Sequence, residues 1–415
     1  MLSHSYLPDS IMQTLIVPII KDKRGDITDK DNYRPIALTC IVSKIFEFLL
    51  LEECEEYLYT TDHQFGFKSH HFTDQFVFVL QQIIEYYNSL SSPVYVCYLD
   101  ASKAFDRISH WCLFNKLLSR QIPKCIIKLL VYWYTNQQFA IRWGSVVSKF
   151  FMVSNGVRQG GILSPALFNV YMDDLSTKML SSKIGCNLNG VLFNHFLYAD
   201  DSVICAPSPS ALQKLIDLCE SFAANNCIVY NVKKTKIMCF KPKSLQKLHV
   251  PVFSLSYKNI RLVNKEKYLG LELSDDLKDD QDLMRQLRCI YSYGNMITKK
   301  FKCCSDDIKI KLFKTYCCNF YGSHLWCNYK ASTYNKIKVA FNNVFRSLMS
   351  VSRGTSISAI YVANNIDAFP VILRKSVFRF RTRLLCSSNC LINTVINSVF
   401  YNESSLCKKW QEILF

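Results

Sequence analysis

Phe196-Leu-Tyr-Ala-Asp-Asp-Ser-Val-Ile-Cys205 reads as two apolar, β-rich runs turning tightly on an adjacent acidic pair, Asp200 and Asp201. Such a turn is poorly built for stability, because the like charges repel and Asn-Gly would close the hairpin without that cost. It makes sense when divalent cations neutralise it. Alone, an Asp pair more often marks a solvated turn or a helix cap, so the weight rests on its surroundings. Pro93 to Leu99 is a short, mostly apolar run suited to a buried strand, and it ends on a third acid, Asp100. If that strand pairs beside the hairpin, the three carboxylates converge on two hard cations about 3.5–4 Å apart.

Outward from these acids the chain alternates helices and strands. Thr14 to Ile20 is apolar and β-branched, and Pro35 to Leu51 reads as an extended lead-in followed by a helix. Thr73 to Leu90 places Phe76, Leu80, Ile83, Ile84 and Tyr87 on one helical face. His110 to Arg120 and Lys124 to Trp133 are predicted helices, and Gln138 to Val153 a hairpin turning at Trp143-Gly144-Ser145. Leu163 to Leu180 is a long helix opened by Ser164-Pro165. Leu212 to Asn225 is helical again, and Ile228 to Phe240 contains a further strand. After Gly270 the chain becomes mainly helical, basic and aromatic, which puts a boundary near Leu273–Asp282 and divides 1–275 from 276–415.

At 415 residues, 49% hydrophobic and 13% aromatic, the chain can bury sizeable cores and is not a disordered tail. Its net charge of +17 favours a polyanionic partner, nucleic acid before an anionic membrane. The charge is uneven: 21 Lys and Arg face 9 Asp and Glu from Asp276 onward, which marks the last third as the backbone-gripping surface. The 19 cysteines follow no disulfide framework, and Met1 to Ser10 carries neither the basic start nor the apolar core of a secretory leader. Reduced thiols in a nuclear or cytoplasmic, intracellular protein are expected, not a secreted one. Apolar stretches such as Ile45 to Leu51 are far too short to span a bilayer, so no membrane role is expected.

The ordered series Asn32-Tyr-Arg-Pro-Ile36, Gln64-Phe-Gly-Phe67, Asp100-Ala-Ser-Lys-Ala-Phe-Asp106, Gly156-Val-Arg-Gln-Gly-Gly-Ile-Leu-Ser-Pro165, Tyr198-Ala-Asp-Asp201, Lys234-Thr235 and Tyr268-Leu-Gly270 carries a resemblance. It closely resembles the motifs of reverse transcriptases from non-LTR (LINE-type) retrotransposons, over roughly Thr14 to Leu273. One such motif arises by chance; seven in order and spacing do not. The resemblance implies an α+β right-hand polymerase, with fingers and palm built on antiparallel sheet and helices in 1–275 and a basic helical thumb in 276–415. It implies an RNA-directed DNA polymerase that binds an RNA template, a DNA primer and dNTPs. Asp100, Asp200 and Asp201 would then hold two Mg²⁺ ions, with Mn²⁺ as a substitute; protein partners are unknown from the sequence.

Other roles follow from the same resemblance. Phe105, five residues after Asp100, would lie under the incoming sugar and exclude a 2′-hydroxyl; without the surrounding motif it would read as core, and with the motif the gate reading leads. Gln159, in a Gly-bracketed loop, would contact the incoming nucleotide, and Ala101 belongs with this nucleotide-binding set. Arg158 beside it is either a nearby charge or a solvated side chain. Arg34 and Lys21 are the candidates for gripping the triphosphate, Lys21 in competition with Lys23 and Arg24. Lys234, flanked by Lys233 and Lys236, matches the lysine that would protonate leaving pyrophosphate. Tyr268, Leu269 and Gly270 resemble the primer-grip turn. Asp106, Asp173 and Asp174 are assigned structural roles.

The chain departs from the family pattern in length. Only about a dozen residues precede the first fingers strand, so it reads as truncated, without the endonuclease domain. Cys303, Cys304, Cys317, Cys318, Cys327 and His324 lack paired C-x2-C spacing and read as buried or idle groups, not a zinc site. The alternative function is a catalytically inactive, nucleic-acid-binding remnant of such an element. An RNA-copying RNA polymerase is disfavoured by Phe105 and the Tyr-Ala-Asp-Asp turn.

Overall fold

The computed structural model describes residues 6–352 and 354–415. The reading of Met1–Ser10 as leader-free therefore falls in part, at 1–5, outside the described residues. In chain order the strands that frame the site are β1 (Gln13–Ile20), β2 (Tyr33–Leu38), β3 (Val94–Asp100), β4 (Gln138–Trp143), β5 (Val146–Val147), β6 (Phe151–Met152), β7 (Cys186–Leu188), β8 (Val191–Phe193), β9 (His195–Tyr198), β10 (Asp201–Ala206) and β11 (Lys236–Phe240).

Two sheets result. The first is ordered β2-β1-β4-β5, with β6 also paired to β4. In it β1 and β2 form an antiparallel hairpin, and β4 runs parallel to β1. The second places Arg261–Leu262, β11, β3, β10 and β9 side by side in that order. Its centre is β3, buried along Val94–Leu99. A strand covered on both faces needs apolar residues at every position, which is why that run shows no alternation.

Alternation reappears in the packing. Val94, Val96 and Tyr98 face one apolar cluster, together with Val203, Cys205, Met238 and Phe240. Tyr95, Cys97 and Leu99 face the other, with Ile204, Ala206, Ile237 and Cys239. Side chains alternate with period two, so Asp100 and Asp201 emerge on the first face, in line with Tyr98 and Val203. The second face carries the helices His110–Ser119, Lys124–Asn136, Ser164–Ser181 and Pro209–Asn225.

Helix Thr73–Ser89 covers the first face, and the helical region beyond 275 packs outside it. Phe78 on this helix stacks on Trp410, with ring centroids 6.3 Å apart, and meets Phe380 edge-on at 5.9 Å. One apolar cluster thus runs from the sheet across residue 275 into the helices Asp280–Lys300, Ala331–Leu348 and Phe369–Leu385.

A buried ionic contact fixes the same junction. Asp74, 6% exposed in the first turn of helix Thr73–Ser89, accepts from Arg383 Nη2 at 2.6 Å and lies 3.1 Å from His324 Nε2. Burial pushes its carboxyl up, but His324 and Arg383 outweigh that and leave it below its ordinary value. Asp74→Ala is expected to cost about 2 kcal/mol, because it leaves buried His324 and the half-buried Arg383 without their carboxylate. Since the native carboxyl is depressed, its contribution is present above the unfolded value and lost as pH falls through the lower native one. Thermal unfolding of wild type and Asp74→Ala should therefore converge below about pH 4. An equal gap at pH 3 and pH 7 would contradict this.

Candidate active site

The three acids lie where β3 and β9 end and β10 begins. Asp201 opens β10 directly opposite Asp100, the last residue of β3, and Tyr198 closes β9 opposite Asp201 on the other side. Asp200 lies in the turn between β9 and β10, after Ala199, whose φ of +58° bends the chain back. Gln64-Phe-Gly-Phe67 braces that turn from behind. Gln64 Oε1 accepts from Ala199 N at 3.2 Å, and a Cβ on Gly66 would come within 2.3 Å of the same nitrogen. Glycine is required there because two backbones touch.

The acids repel one another. Burial raises Asp201 to about 6, helped by the charges of Asp200 and Asp100. Burial also raises Asp100, against the pull of Lys234, and Asp200, against the pull of Arg34. The nearest cation is Lys234, whose Nζ stands 3.9 Å from Asp100 Oδ2. Of its neighbours, Lys236 is engaged with Glu266 at 2.6 Å. Thr235 holds this segment against the end of β3, its Oγ1 accepting from Asp100 N at 3.4 Å. Carboxylate oxygens with so little opposing charge form a donor set suited to hard divalent cations. Among the described residues no three acidic, His or Cys side chains are already gathered into a metal cage, so a cation would have to draw these acids together.

Beside the acids lies an aromatic floor. Phe105 stacks on Phe168 at 4.4 Å and meets Phe67 edge-on at 6.0 Å, with part of its ring still open. Gln159 Nε2 donates to Asp106 Oδ1 at 2.9 Å, and its carbonyl accepts from Ala37 N at 2.7 Å, linking the Gly-rich loop to β2. Gly156 lies against the backbone of Asp106, 2.9 Å from where a Cβ would sit. Ala101 pairs with Tyr230 in an isolated bridge beside Asp100. Arg34 and Lys21, at the β1–β2 turn, are exposed; Arg34 acts on Asp200, and Lys21 on Asp100 and Asp106. Asp173 pairs with Arg120 at 2.7 Å, and Asp174 pairs with Lys116.

Arg158 corrects the sequence reading. It is 4% exposed, neither solvated nor free to meet a ligand. Its Nη2 lies 2.7 Å from Glu47 Oε1, and its guanidinium covers the Trp133 ring at 4.4 Å. Glu47, 1% exposed, also accepts from the backbone N–H groups of Ile162 and Leu163 at the start of helix Ser164–Ser181. The pair locks the Gly-rich loop under the site. The one local signal for Glu47 is that it stands as a lone charge inside the otherwise apolar helical run Ile45 to Leu51.

Tyr268, 7% exposed, packs on Tyr98 at 5.0 Å, behind the acids, and burial pushes its hydroxyl up. Leu269 and Gly270 follow with φ of +45° and +84°. Tyr321 holds this turn from the far side of residue 275: its hydroxyl donates to Leu269 O at 3.0 Å and lies 2.5 Å from Thr73 Oγ1. Tyr321 carries no sequence signal, because nothing local ties it to a turn 52 residues earlier.

The family model described as reverse transcriptase (RNA-dependent DNA polymerase) matches residues 20–273. The Drosophila melanogaster Retrovirus-related Pol polyprotein from type-2 retrotransposable element R2DM is 26% identical over 276 residues, covering 65% of this chain and 26% of its own length. The RNA-directed DNA polymerase from mobile element jockey of the same organism is 25% identical over 352 residues, 80% of this chain and 37% of its own. This chain thus spans well under half the length of these curated relatives. A structure of apo telomerase from Candida tropicalis aligns over 98% of this chain and 69% of its own, with a TM-score of 0.48 and 12% identity.

Proposed function

The chain belongs to the reverse transcriptase family, and from that premise we propose that it is an RNA-directed DNA polymerase of a non-LTR retrotransposon. The observation that carries the reading is the placement of Asp100 directly opposite Asp201 at the turn that bears Asp200. These three would hold two Mg²⁺ ions, which when bound supply Lewis-acid activation of a primer 3′-hydroxyl and of the leaving pyrophosphate.

The rest of the work falls to the protein's own groups. Arg34 and Lys21 offset triphosphate charge at the mouth of the site. Gln159, its Nε2 held by Asp106 Oδ1, would contact the nucleotide through the rest of its amide. Lys234 is the cation beside Asp100 from which a proton reaches the departing pyrophosphate. The turn Tyr268-Leu269-Gly270 supports the primer end. The basic helices of 276–415 bind the template–primer duplex through phosphate contacts, supported by exposed Lys299, Lys300, Lys311 and Lys314. All 19 cysteines are free, which suits a reducing nuclear or cytoplasmic setting. Among the described residues no helix is long and apolar enough to cross a membrane.

The test is primer extension on poly(rA)/oligo(dT) with Mg²⁺. Wild type is expected to incorporate dTTP and to reject rUTP, because in this reading the Phe105 ring would occupy the space a 2′-hydroxyl needs. Phe105→Ala should lower the dTTP-over-rUTP ratio by about 10- to 200-fold, the range typical of a reshaped apolar pocket. The ratio is taken within one protein, so loss of active fraction cancels. Folded protein that binds the duplex but incorporates nothing would reject the polymerase reading and leave the binding-only remnant.

A further inference from the structure

Lys103 is the third residue after Asp100, and its backbone is left-handed, with φ of +53°. A lysine gains nothing sterically in that conformation, which Gly or Asn adopts more readily. Its side chain crosses to the β1–β2 turn, where Nζ lies 2.7 Å from Asp31 Oδ1. The backbone oxygen of the same Asp31 accepts from Lys21 Nζ at 2.8 Å. One exposed acidic residue therefore holds two lysines, one from each side of the nucleotide mouth.

The turn is braced independently of this contact. Asn32 Nδ2 donates to the backbone oxygens of Asp22 and Asp26 at 3.0 Å each, and Asp29 accepts from Asp31 N at 2.9 Å. The Lys103–Asp31 pair itself is open to water, with side chains 48% and 58% exposed. Exposed pairs of this kind contribute little to stability and exchange partners readily. A triphosphate, with several charges on adjacent oxygens, competes with one carboxylate for Lys103 and with one neutral backbone carbonyl for Lys21.

Resting on the polymerase reading, we propose that Lys103 is a further ligand for the nucleotide triphosphate, and that Asp31 occupies its place until the nucleotide arrives. Lys103 and Lys21 then turn from Asp31 to phosphate oxygens, joining the β1–β2 turn to the acid-bearing strand around the nucleotide.

The test uses the full chain in two arms: steady-state dTTP incorporation on poly(rA)/oligo(dT), and equilibrium binding of inorganic tripolyphosphate. Lys103→Met is expected to raise the KM for dTTP about 10-fold, with kcat within about 3-fold, and to weaken tripolyphosphate binding to match. Asp31→Asn is expected to lower that KM about 2- to 5-fold by removing the competitor. In the Lys103→Met background Asp31→Asn should lose most of this effect. An active wild type whose KM is unmoved by Lys103→Met would overturn the assignment, as would an Asp31→Asn effect that persists in full without Lys103. A wild type without incorporation counts against the polymerase reading itself. The tripolyphosphate arm still decides in that case: binding that depends on Lys103 supports the site, and binding that ignores it removes the site.

Discussion

Asp200→Asn and Asp201→Asn are expected to reduce dNTP incorporation by about 10³-fold or more, while the metal-free proteins melt no lower than wild type. Loss of one metal-bridging carboxylate removes several kcal/mol of transition-state stabilisation, and each 1.36 kcal/mol is about a decade in rate. The stability half of this expectation comes from the repulsion. Asp201 is pushed up to about 6 by burial, Asp200 and Asp100. A carboxyl raised in the native state contributes stability below its unfolded value and loses it as pH rises through the native one. Metal-free wild type should therefore lose thermal stability between about pH 4 and pH 7 at this residue, and Asp201→Asn should flatten that slope. Adding Mg²⁺ should restore stability to wild type more than to either variant. Equal activity in wild type and Asp200→Asn would remove the acids from the chemistry.

The largest stability loss is expected at Glu47. Glu47→Ala leaves the Arg158 guanidinium 4% exposed and without its carboxylate, and frees two N–H groups at the start of helix Ser164–Ser181. Breaking a buried pair from one side typically costs about 3–5 kcal/mol. Replacing both partners, as in Glu47→Leu with Arg158→Met, should cost less, because no charge is stranded. Urea unfolding measures the difference. A single-variant loss below about 1 kcal/mol would mean that water already reaches the pair.

The contrast between these sites shows what the sequence could convey. The acid-bearing turn was legible because its flanks are apolar and β-rich and its centre is acidic, a local conflict that stands out. The strand ending at Asp100 was legible because a central strand is apolar throughout. Arg158 was not: a buried, paired arginine and a solvated one look alike in sequence, and its partner lies 111 positions away in a helix. Gly66 was visible as part of a motif, but its contact with Ala199 depends on two loops meeting. The same holds for Tyr321 and the turn at Leu269. The strands Cys186–Leu188 and Val191–Phe193 were missed because three residues carry too little pattern to read.

The central claim is that Asp100, Asp200 and Asp201 act together on divalent cations, and Mn²⁺ titration followed by electron paramagnetic resonance tests it most directly. With a 3′-deoxy-terminated template–primer and dTTP present, wild type is expected to bind two Mn²⁺ ions per chain, counting the one that arrives with the nucleotide. Asp100→Asn should abolish or strongly weaken that binding. Binding identical in wild type and Asp100→Asn would contradict the claim, because an acid on β3 that the cations do not feel shares no site with the β9–β10 turn.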